Sequence, residues 1–265
     1  MLNALKEILL FMMSKFGYNI RKQVIIDKSN DPIWVASKIL DVDKVNVIVD
    51  AGASIGDITL NLTEVFPNSV IHAFEPFPEF FKILNEKSEI NKRIIPYSCA
   101  LSDSDGVGFL NINKSEDTNS LLNSDVHESN PHSNLLETKE TTAVETKTLD
   151  QIFPDETIDL LKLDLQGGEF NALQGAINLI NDQRIKCIIC EVIFDKIYKY
   201  QKNASELLSF LENKDYKILN FYQNHYHLGK LLQADIILYH KSISSDIDKL
   251  KKNNFLPFSK YLKRK

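Results

Sequence analysis

Short runs of apolar, often β-branched residues recur along the chain, with helix-like stretches between them. The first five runs cover residues 45–50, 69–74, 94–98, 158–163 and 185–191. Strands that alternate with helices predict a parallel sheet, because parallel neighbours need long crossover connections. Pro96 in the third run predicts an edge strand or a bulge, since proline cannot donate a hydrogen bond within a sheet. The chain is therefore predicted to be an α/β protein.

The pattern changes after Glu191. Residues 204–213 predict a helix, whereas residues 216–222 and 235–239 predict two strands. The connection between these strands is expected to be a short loop that contains "QNHYHLGK". Because no helix separates them, the two strands are expected to pair antiparallel at the end of the otherwise parallel sheet.

The length of 265 residues suits one main domain with extensions. We expect an N-terminal helical extension over residues 1–40, a main domain over 41–241 and a basic tail over 242–265. A polar insertion over residues 103–148 interrupts the main domain. Residues 107–112 and 142–146 of this insertion are expected to pair as short strands. The stretch between them is predicted to be a long loop of the kind that forms lids or binding elements.

Composition and charge exclude several classes of protein. A net charge of −5 provides no basic field for nucleic acid, so no nucleic-acid partner is expected. Neither a signal peptide nor a membrane-spanning run is recognised. Three cysteines are too few for a disulfide framework, which favours a reducing, cytoplasmic location. Cys187 and Cys190 have an odd offset on a strand and are expected to be buried thiols on opposite faces.

A glycine-containing turn, "VDAGASIGD", follows the first predicted strand. Glycine permits positive φ and close approach of the backbone to a ligand, and Gly52 and Gly56 flank the turn. Asp50 closes the strand, and Ala53 and Ser54 keep the turn narrow. A turn of this kind at the first strand–helix junction predicts a nucleotide or nucleoside site, the alternative being a tight turn without a ligand.

A second acidic residue, Glu75 in "HAFEP", follows the second predicted strand, which Pro76 ends. An acid at this place in a doubly wound sheet accepts hydrogen bonds from ribose hydroxyls. Dinucleotide sites need a glycine where this chain has Ser54, which would crowd a pyrophosphate. S-adenosylmethionine lacks a pyrophosphate and fits better, with its adenosine at Glu75 and its amino-acid end at the glycine turn.

Several blocks together resemble one known family. "VIVDAGASIGDITL", "HAFEPFPEFFKIL", "CALSDSDG", "TKTLDQI" and "LLKLDLQGGEFNALQGA" are similar, in this order and spacing, to the blocks of FkbM-type methyltransferases. The resemblance covers roughly residues 45–195. It implies a class I, Rossmann-like methyltransferase domain with a seven-stranded, mostly parallel sheet and an antiparallel last strand. It also implies transfer of a methyl group from S-adenosylmethionine to hydroxyl groups of sugars, polyketides or other secondary metabolites.

The resemblance also implies roles for individual residues. Asp50, Gly52 and Gly56 match the cofactor turn, Glu75 matches the ribose acid, and the pair Ala100 and Leu101 matches the segment that flanks adenine. Ala53, Ser54 and Pro76 belong to the same predicted cofactor site.

"KLDLQGGE" matches a block that usually reads K-x-D-x-E-G-x-E. Lys162, Asp164, Gly167 and Glu169 are retained, but Gln166 stands where glutamate is usual. If that carboxylate takes part in catalysis or metal binding, this chain has lost it.

The carboxyl ends of parallel strands surround the cleft of an open α/β sheet, so Asp164 and Glu191 are expected to face the reacting methyl group. Asp164 is the first candidate for the base, with the alternative that it holds the following loop or a cofactor group; it is therefore also a candidate cofactor ligand. Glu191 is the next candidate. Lys162 points to the same side of its strand as Asp164 and is the third catalytic candidate. His225 and His227 are interpreted as surface turn residues, and no metal is predicted.

Three functions compete at this point. The leading interpretation is an O-methyltransferase for a hydroxyl of a carbohydrate, such as a glycan or a lipid-linked sugar, or of a natural product. One alternative is an RNA ribose 2′-O-methyltransferase, and another is a catalytically weak cofactor-binding scaffold, motivated by Gln166. The basic tail is a solvated end or makes a weak peripheral contact with an anionic membrane.

Overall fold

A computed structural model of the protein describes residues 30–125, 133–244 and 247–248. The strands are β1 (Val47–Ala51), β2 (Val70–Phe74), β3 (Ile94–Tyr97), β4 (Ala100–Leu101), β5 (Gly106–Asn113), β6 (Thr138–Lys147), β7 (Ile158–Leu163), β8 (Ile185–Ile193), β9 (Tyr216–His227) and β10 (Lys230–His240). The α-helices are α1 (Pro32–Ile39), α2 (Asp57–Val65), α3 (Pro78–Ile90), α4 (Leu149–Ile152), α5 (Glu169–Gln174), α6 (Ile177–Asn181) and α7 (Ala204–Glu212).

The main sheet has seven strands in the order β3-β2-β1-β7-β8-β10-β9. Its first five strands pair in parallel, and β10 runs antiparallel to both β8 and β9. This confirms the predicted fold class, and β3 with Pro96 lies at an edge as predicted. The strand order reverses between β1 and β7, and ligands of open α/β sheets bind in the crevice at such a reversal.

Two hydrophobic cores cover the two faces of the main sheet. Successive residues of a strand point to opposite faces, so Val49 joins one core and Ile48 the other. Cys190 and Cys187 divide in the same way, and both are buried free thiols, as predicted. The alternation of apolar residues along the buried strands therefore determines both cores.

The insertion contributes β5 and β6 to a second, small sheet, which also contains the preceding β4 and has the strand order β4-β6-β5. β5 and β6 pair antiparallel, which confirms the predicted pairing of residues 107–112 with 142–146 and lengthens both strands. Leu110 and Val144 of this sheet pack with Phe77, close to the start of α3. Residues 126–132 of the predicted loop lie outside the described residues.

The end of the main sheet is a long hairpin. β9 continues to His227 and β10 begins at Lys230, so the predicted eight-residue loop is wrong. The turn is confined to Leu228 and Gly229, both with positive φ. His225 and His227 consequently lie on a strand rather than on a surface turn, because cross-strand pairing to β10 extends past the apolar part of β9.

Helix α1 precedes the main sheet. Asp31 caps it by accepting hydrogen bonds from the N–H groups of Ile33 and Trp34, at 2.9 and 3.2 Å. Trp34 of this helix is half-buried and packs against one of the two cores. Residues 1–29 of the predicted extension and 249–265 of the predicted basic tail lie outside the described residues. In the described part of the chain, no helix is long and apolar enough to span a membrane.

Asp159 of β7 ties together three strands of the sheet. Its buried Oδ2 accepts hydrogen bonds from the N–H groups of Asn46 and Val47, at 2.7 and 3.1 Å, where β1 begins. Its Oδ1 accepts one from Lys186 Nζ of β8 at 2.6 Å. This carboxylate therefore fixes the start of the strand that leads into the glycine turn.

We expect Asp159→Ala to lower the free energy of unfolding by about 1–2 kcal/mol, because it removes the side-chain acceptor of the N–H groups of Asn46 and Val47. Urea unfolding followed by circular dichroism measures this. Asp155→Ala, in the exposed loop before β7, is the control and is expected to stay within about 0.5 kcal/mol of the unsubstituted protein. Equal stability of the two variants would contradict the role given to Asp159.

Candidate active site

A cavity of about 340 Å³ opens at the carboxyl ends of β1, β2 and β7. Its size is within the range of small-molecule sites. Residues of β5 and of the segment that follows it form the opposite wall, including Leu110 and Leu121. The predicted cofactor residues that line it are Gly52, Ser54, Glu75, Pro76, Ala100, Leu101 and Asp164.

The glycine turn acts through its shape. Gly52 has φ +75, and a Cβ atom there would lie 1.9 Å from the carbonyl oxygen of Asp164. The N–H groups of Gly52 and Ala53 both donate to the carbonyl of Phe74, so they are satisfied within the protein. Gly56, with φ +85, faces Leu84 of α3. Gly52 thus permits the close approach of two loops, while Ala53 and Gly56 lie behind the cavity wall.

Glu75 lies at the cavity with a buried carboxylate. Its Oε2 accepts a hydrogen bond from Ser54 N and its Oε1 one from Phe77 N, both at 2.8 Å. Burial raises the pKa of the Glu75 carboxyl to about 7, against the hydrogen bonds from Phe77 and Ser54, which lower it. Each oxygen keeps a lone pair for a further donor. The carboxylate can therefore accept hydrogen bonds from a ligand while it holds the glycine turn.

Lys162 forms the centre of a buried ion cluster. Its Nζ lies 3.3 Å from Asp50 Oδ1 and 3.5 Å from Asp164 Oδ2, and it donates to the Gly52 carbonyl at 3.3 Å. Burial by itself lowers the pKa of Lys162, but the nearby Asp50 and Asp164 carboxylates outweigh it and the pKa is raised. Lys162 therefore stays charged and does not serve as a base.

Asp50 lies behind the cavity. It is fully buried and accepts a hydrogen bond from Thr59 Oγ1 at 2.7 Å. The sequence places it correctly at the end of β1, but its carboxylate contacts α2 and Lys162.

Asp164 stands between two cavities. It lines the larger cavity and also a second one of about 80 Å³, and its side chain is 40% exposed. Glu191 and His225 line the second cavity too. The remaining residues of this small cavity are Gln223, Gln233, Ala234 and Asp235. The structure therefore brings the predicted pair Asp164 and Glu191 together, as the strand ends indicated.

Sequence analysis missed Asp235. It lies opposite Glu191 in the pairing of β10 with β8. Burial and then the charge of Asp164 raise the pKa of Asp235 to about 6. The signal in the sequence was an acid at the boundary of a predicted strand, but its partner depends on the antiparallel register.

No metal ligands are predicted from the sequence. In residues 30–125, 133–244 and 247–248, no group of three or more histidine, cysteine, aspartate or glutamate side chains is placed to hold a metal ion.

The strand order and the antiparallel last strand are those of the class I methyltransferase fold. A family model described as "Methyltransferase FkbM domain" matches residues 50–218, which is more than half of the chain. The protein therefore belongs to the FkbM methyltransferase family. The match confirms the family that was predicted from the sequence blocks.

Two curated relatives carry methyltransferase names. The chain is 27% identical over 170 residues to Methyltransferase 1 of Beauveria bassiana (strain ARSEF 2860), a match that covers 59% of this chain and 66% of the relative. It is 31% identical over 153 residues to Methyltransferase sdnD of Sordaria araneosa, covering 48% and 59%. The matches thus span about two thirds or less of these relatives.

Among solved structures, Methyltransferase FkbM from Methylobacillus flagellatus KT is similar to this chain, with a TM-score of 0.50 and 17% identity. The match covers 74% of this chain and 44% of that one. The likeness supports the fold.

Gly52→Ala is expected to destabilise the protein by about 1–3 kcal/mol more than Gly229→Ala, because it forces a Cβ atom into the backbone of Asp164. Both glycines have positive φ, but a Cβ at Gly229 meets nothing within 4 Å, so this variant measures the backbone strain alone. Denaturant unfolding of the pair tests the steric role of Gly52. Equal losses would show that only the backbone angle matters.

Proposed function

We propose that the protein transfers a methyl group from S-adenosylmethionine to a hydroxyl oxygen of a carbohydrate, such as a glycan or a lipid-linked sugar, or of a natural product. The observation that carries the proposal is the position of Asp164, whose carboxylate borders both the larger cavity and the small polar cavity. Membership of a methyltransferase family supports the reaction class.

The larger cavity suits the chemistry of S-adenosylmethionine. Glu75 would accept hydrogen bonds from the ribose hydroxyls, and the apolar surfaces of Ala100, Leu101 and Phe80 would contact the adenine. Gly52 and Ser54 would border the amino-acid end. When bound, S-adenosylmethionine supplies an electrophilic methyl group, whose bond to sulfur breaks as the bond to the acceptor oxygen forms.

Asp164 is the proposed base. It would accept the hydroxyl proton of an acceptor in the small cavity, a step that assists oxygen attack. Lys162, held at 3.5 Å from Asp164 Oδ2, anchors this carboxylate beside the cavity. The protein then positions the acceptor and places a base beside the methyl group.

The small cavity favours an acceptor that carries hydroxyl groups. Carboxylate and amide oxygens of Asp164, Glu191, Asp235 and Gln233 can accept hydrogen bonds from hydroxyls. The described residues that line this cavity include no lysine or arginine to bind phosphate groups, which makes a ribose hydroxyl of RNA the weaker candidate. The partner is therefore proposed to be a small-molecule or glycan substrate, and the three free cysteines support a reducing, cytoplasmic setting.

The affinity for S-adenosylmethionine is expected to rise severalfold between pH 6 and pH 8. The raised pKa of Glu75, about 7, means that its proton leaves in this window, and ribose hydroxyls bind the ionised carboxylate more strongly. Isothermal titration calorimetry with S-adenosylmethionine measures the change. Glu75→Gln is expected to bind more weakly at pH 8 and without this pH dependence. An identical pH profile in this variant would remove Glu75 from the cofactor site.

Asp164→Asn is expected to retain S-adenosylmethionine binding and to slow methyl transfer by roughly two orders of magnitude, the scale of a lost general base. The assay uses S-adenosylmethionine labelled on the methyl group with a panel of sugars and hydroxylated natural products. Asp43→Asn, on the exposed turn before β1, is the control. A variant that loses binding and rate together would make Asp164 a cofactor ligand. Wild-type binding with no transfer to any acceptor would favour the scaffold function.

A further inference from the structure

Gln166 lies between the two candidate catalytic carboxyl groups. Its Nε2 donates to Asp164 Oδ1 at 3.1 Å and to Glu191 Oε2 at 3.3 Å. A primary amide has two N–H donors, which matches two acceptors, whereas the glutamate usual at this position in the resembling block has none when ionised. The departure from the family block therefore inserts a neutral donor where a further negative charge would stand.

Tyr198 fixes which way the amide of Gln166 points. The hydroxyl of this buried tyrosine donates to Gln166 Oε1 at 3.0 Å and lies 3.2 Å from the Thr118 carbonyl. The reversed amide would place Oε1 against the acceptor oxygen Asp164 Oδ1 and would lose the hydrogen bond from Tyr198. Tyr198 and the two carboxyl groups therefore select one orientation.

The backbone that carries Gln166 is also held in place. Gln166 has φ +51, and its carbonyl accepts a hydrogen bond from Ser120 Oγ at 2.8 Å. Glu169 Oε1 accepts hydrogen bonds from Leu165 N and Gly167 N, at 2.8 and 3.2 Å. The amide is thus fixed at both its backbone and its side-chain end.

Charged groups crowd around Glu191. Burial raises the pKa of Glu191 well above its ordinary value, the charges of Asp164, Glu169 and Asp235 raise it further, and Lys162 opposes them. Gln233 Nε2 donates to Glu191 Oε1 at 3.0 Å from β10, and His225 borders the same cavity from β9. Another carboxylate within hydrogen-bonding distance would make this group still harder to ionise.

We propose that Gln166 is a positioning residue of this site: its amide, oriented by Tyr198, bridges the carboxyl groups of Asp164 and Glu191 and keeps Asp164 directed at the acceptor. The effect of this bridge on catalysis rests on the proposed function. The bridge itself is a property of these side chains and is testable without an acceptor.

The first test is a carboxyl ¹³C NMR titration of the full chain, with Glu191→Gln used to assign the Glu191 signal. Gln166→Glu is expected to raise the midpoint for Glu191 by about one pH unit or more, since it replaces a donor by a like charge. Gln183→Glu is the matched control, because Gln183 also has positive φ but is exposed and remote from the site. An unchanged Glu191 midpoint in Gln166→Glu would overturn the proposal.

The second test separates positioning from folding. Tyr198→Phe removes only the hydroxyl that orients the amide, and it is expected to lower kcat about tenfold while KM for S-adenosylmethionine changes less than threefold. Gln166→Glu is expected to move the acidic limb of the pH–rate profile up by about one unit. A Tyr198→Phe variant with unchanged kcat would overturn the role of the oriented amide. A wild-type protein without methyl transfer would contradict the proposed function, and the NMR titration would still decide whether the bridge exists.

Discussion

The carbonyl oxygen of Asp164 lies where a side chain at position 52 would have to be placed. Only glycine allows the turn after β1 to pack on the end of β7 in this way, and Asp164 N also donates to the Ala51 carbonyl at 3.1 Å. The contact sits where the strand order reverses, so it sets the floor of the crevice. On one side of this floor the turn meets Glu75 through Ser54 N, and on the other side the Asp164 carboxylate emerges. The proposed ribose acid and the proposed base therefore take their positions from the same backbone contact.

Lys162 connects this floor to the charges around it. A buried ammonium group is costly unless it is paired, and here Asp50, Asp164 and the Gly52 carbonyl surround it. The cluster explains why an acid is needed at position 50 even though its side chain does not border the cavity. The Asp50 carboxylate neutralises Lys162 from the side away from the cavity. Gln166 completes the arrangement from the front, where a neutral donor holds the second oxygen of Asp164.

The sequence predicts the parts of the fold and site that depend on local pattern. Alternating strands and helices predict the sheet, Pro96 predicts its edge, and Glu75 is identified by its place after β2. Contacts between distant segments were not predictable. The hairpin that carries His225 extends beyond its apolar residues, because cross-strand pairing continues where hydropathy gives no signal. The role of Gln166 depends on its hydrogen bond with Tyr198, a residue that follows β8 and is distant in sequence. A single sequence shows the substitution at position 166 but not the groups that surround it.

The central claim is that the cavity above Gly52 holds S-adenosylmethionine with its reactive end at Asp164. A crystal structure of the protein with S-adenosylhomocysteine, the product of methyl transfer, tests this most directly. The account predicts ribose hydroxyls in hydrogen-bonding contact with the Glu75 carboxylate, adenine against Ala100 and Leu101, and the sulfur on the side of the cavity that Asp164 borders. A ligand bound elsewhere, or one bound with its ribose away from Glu75, would contradict it.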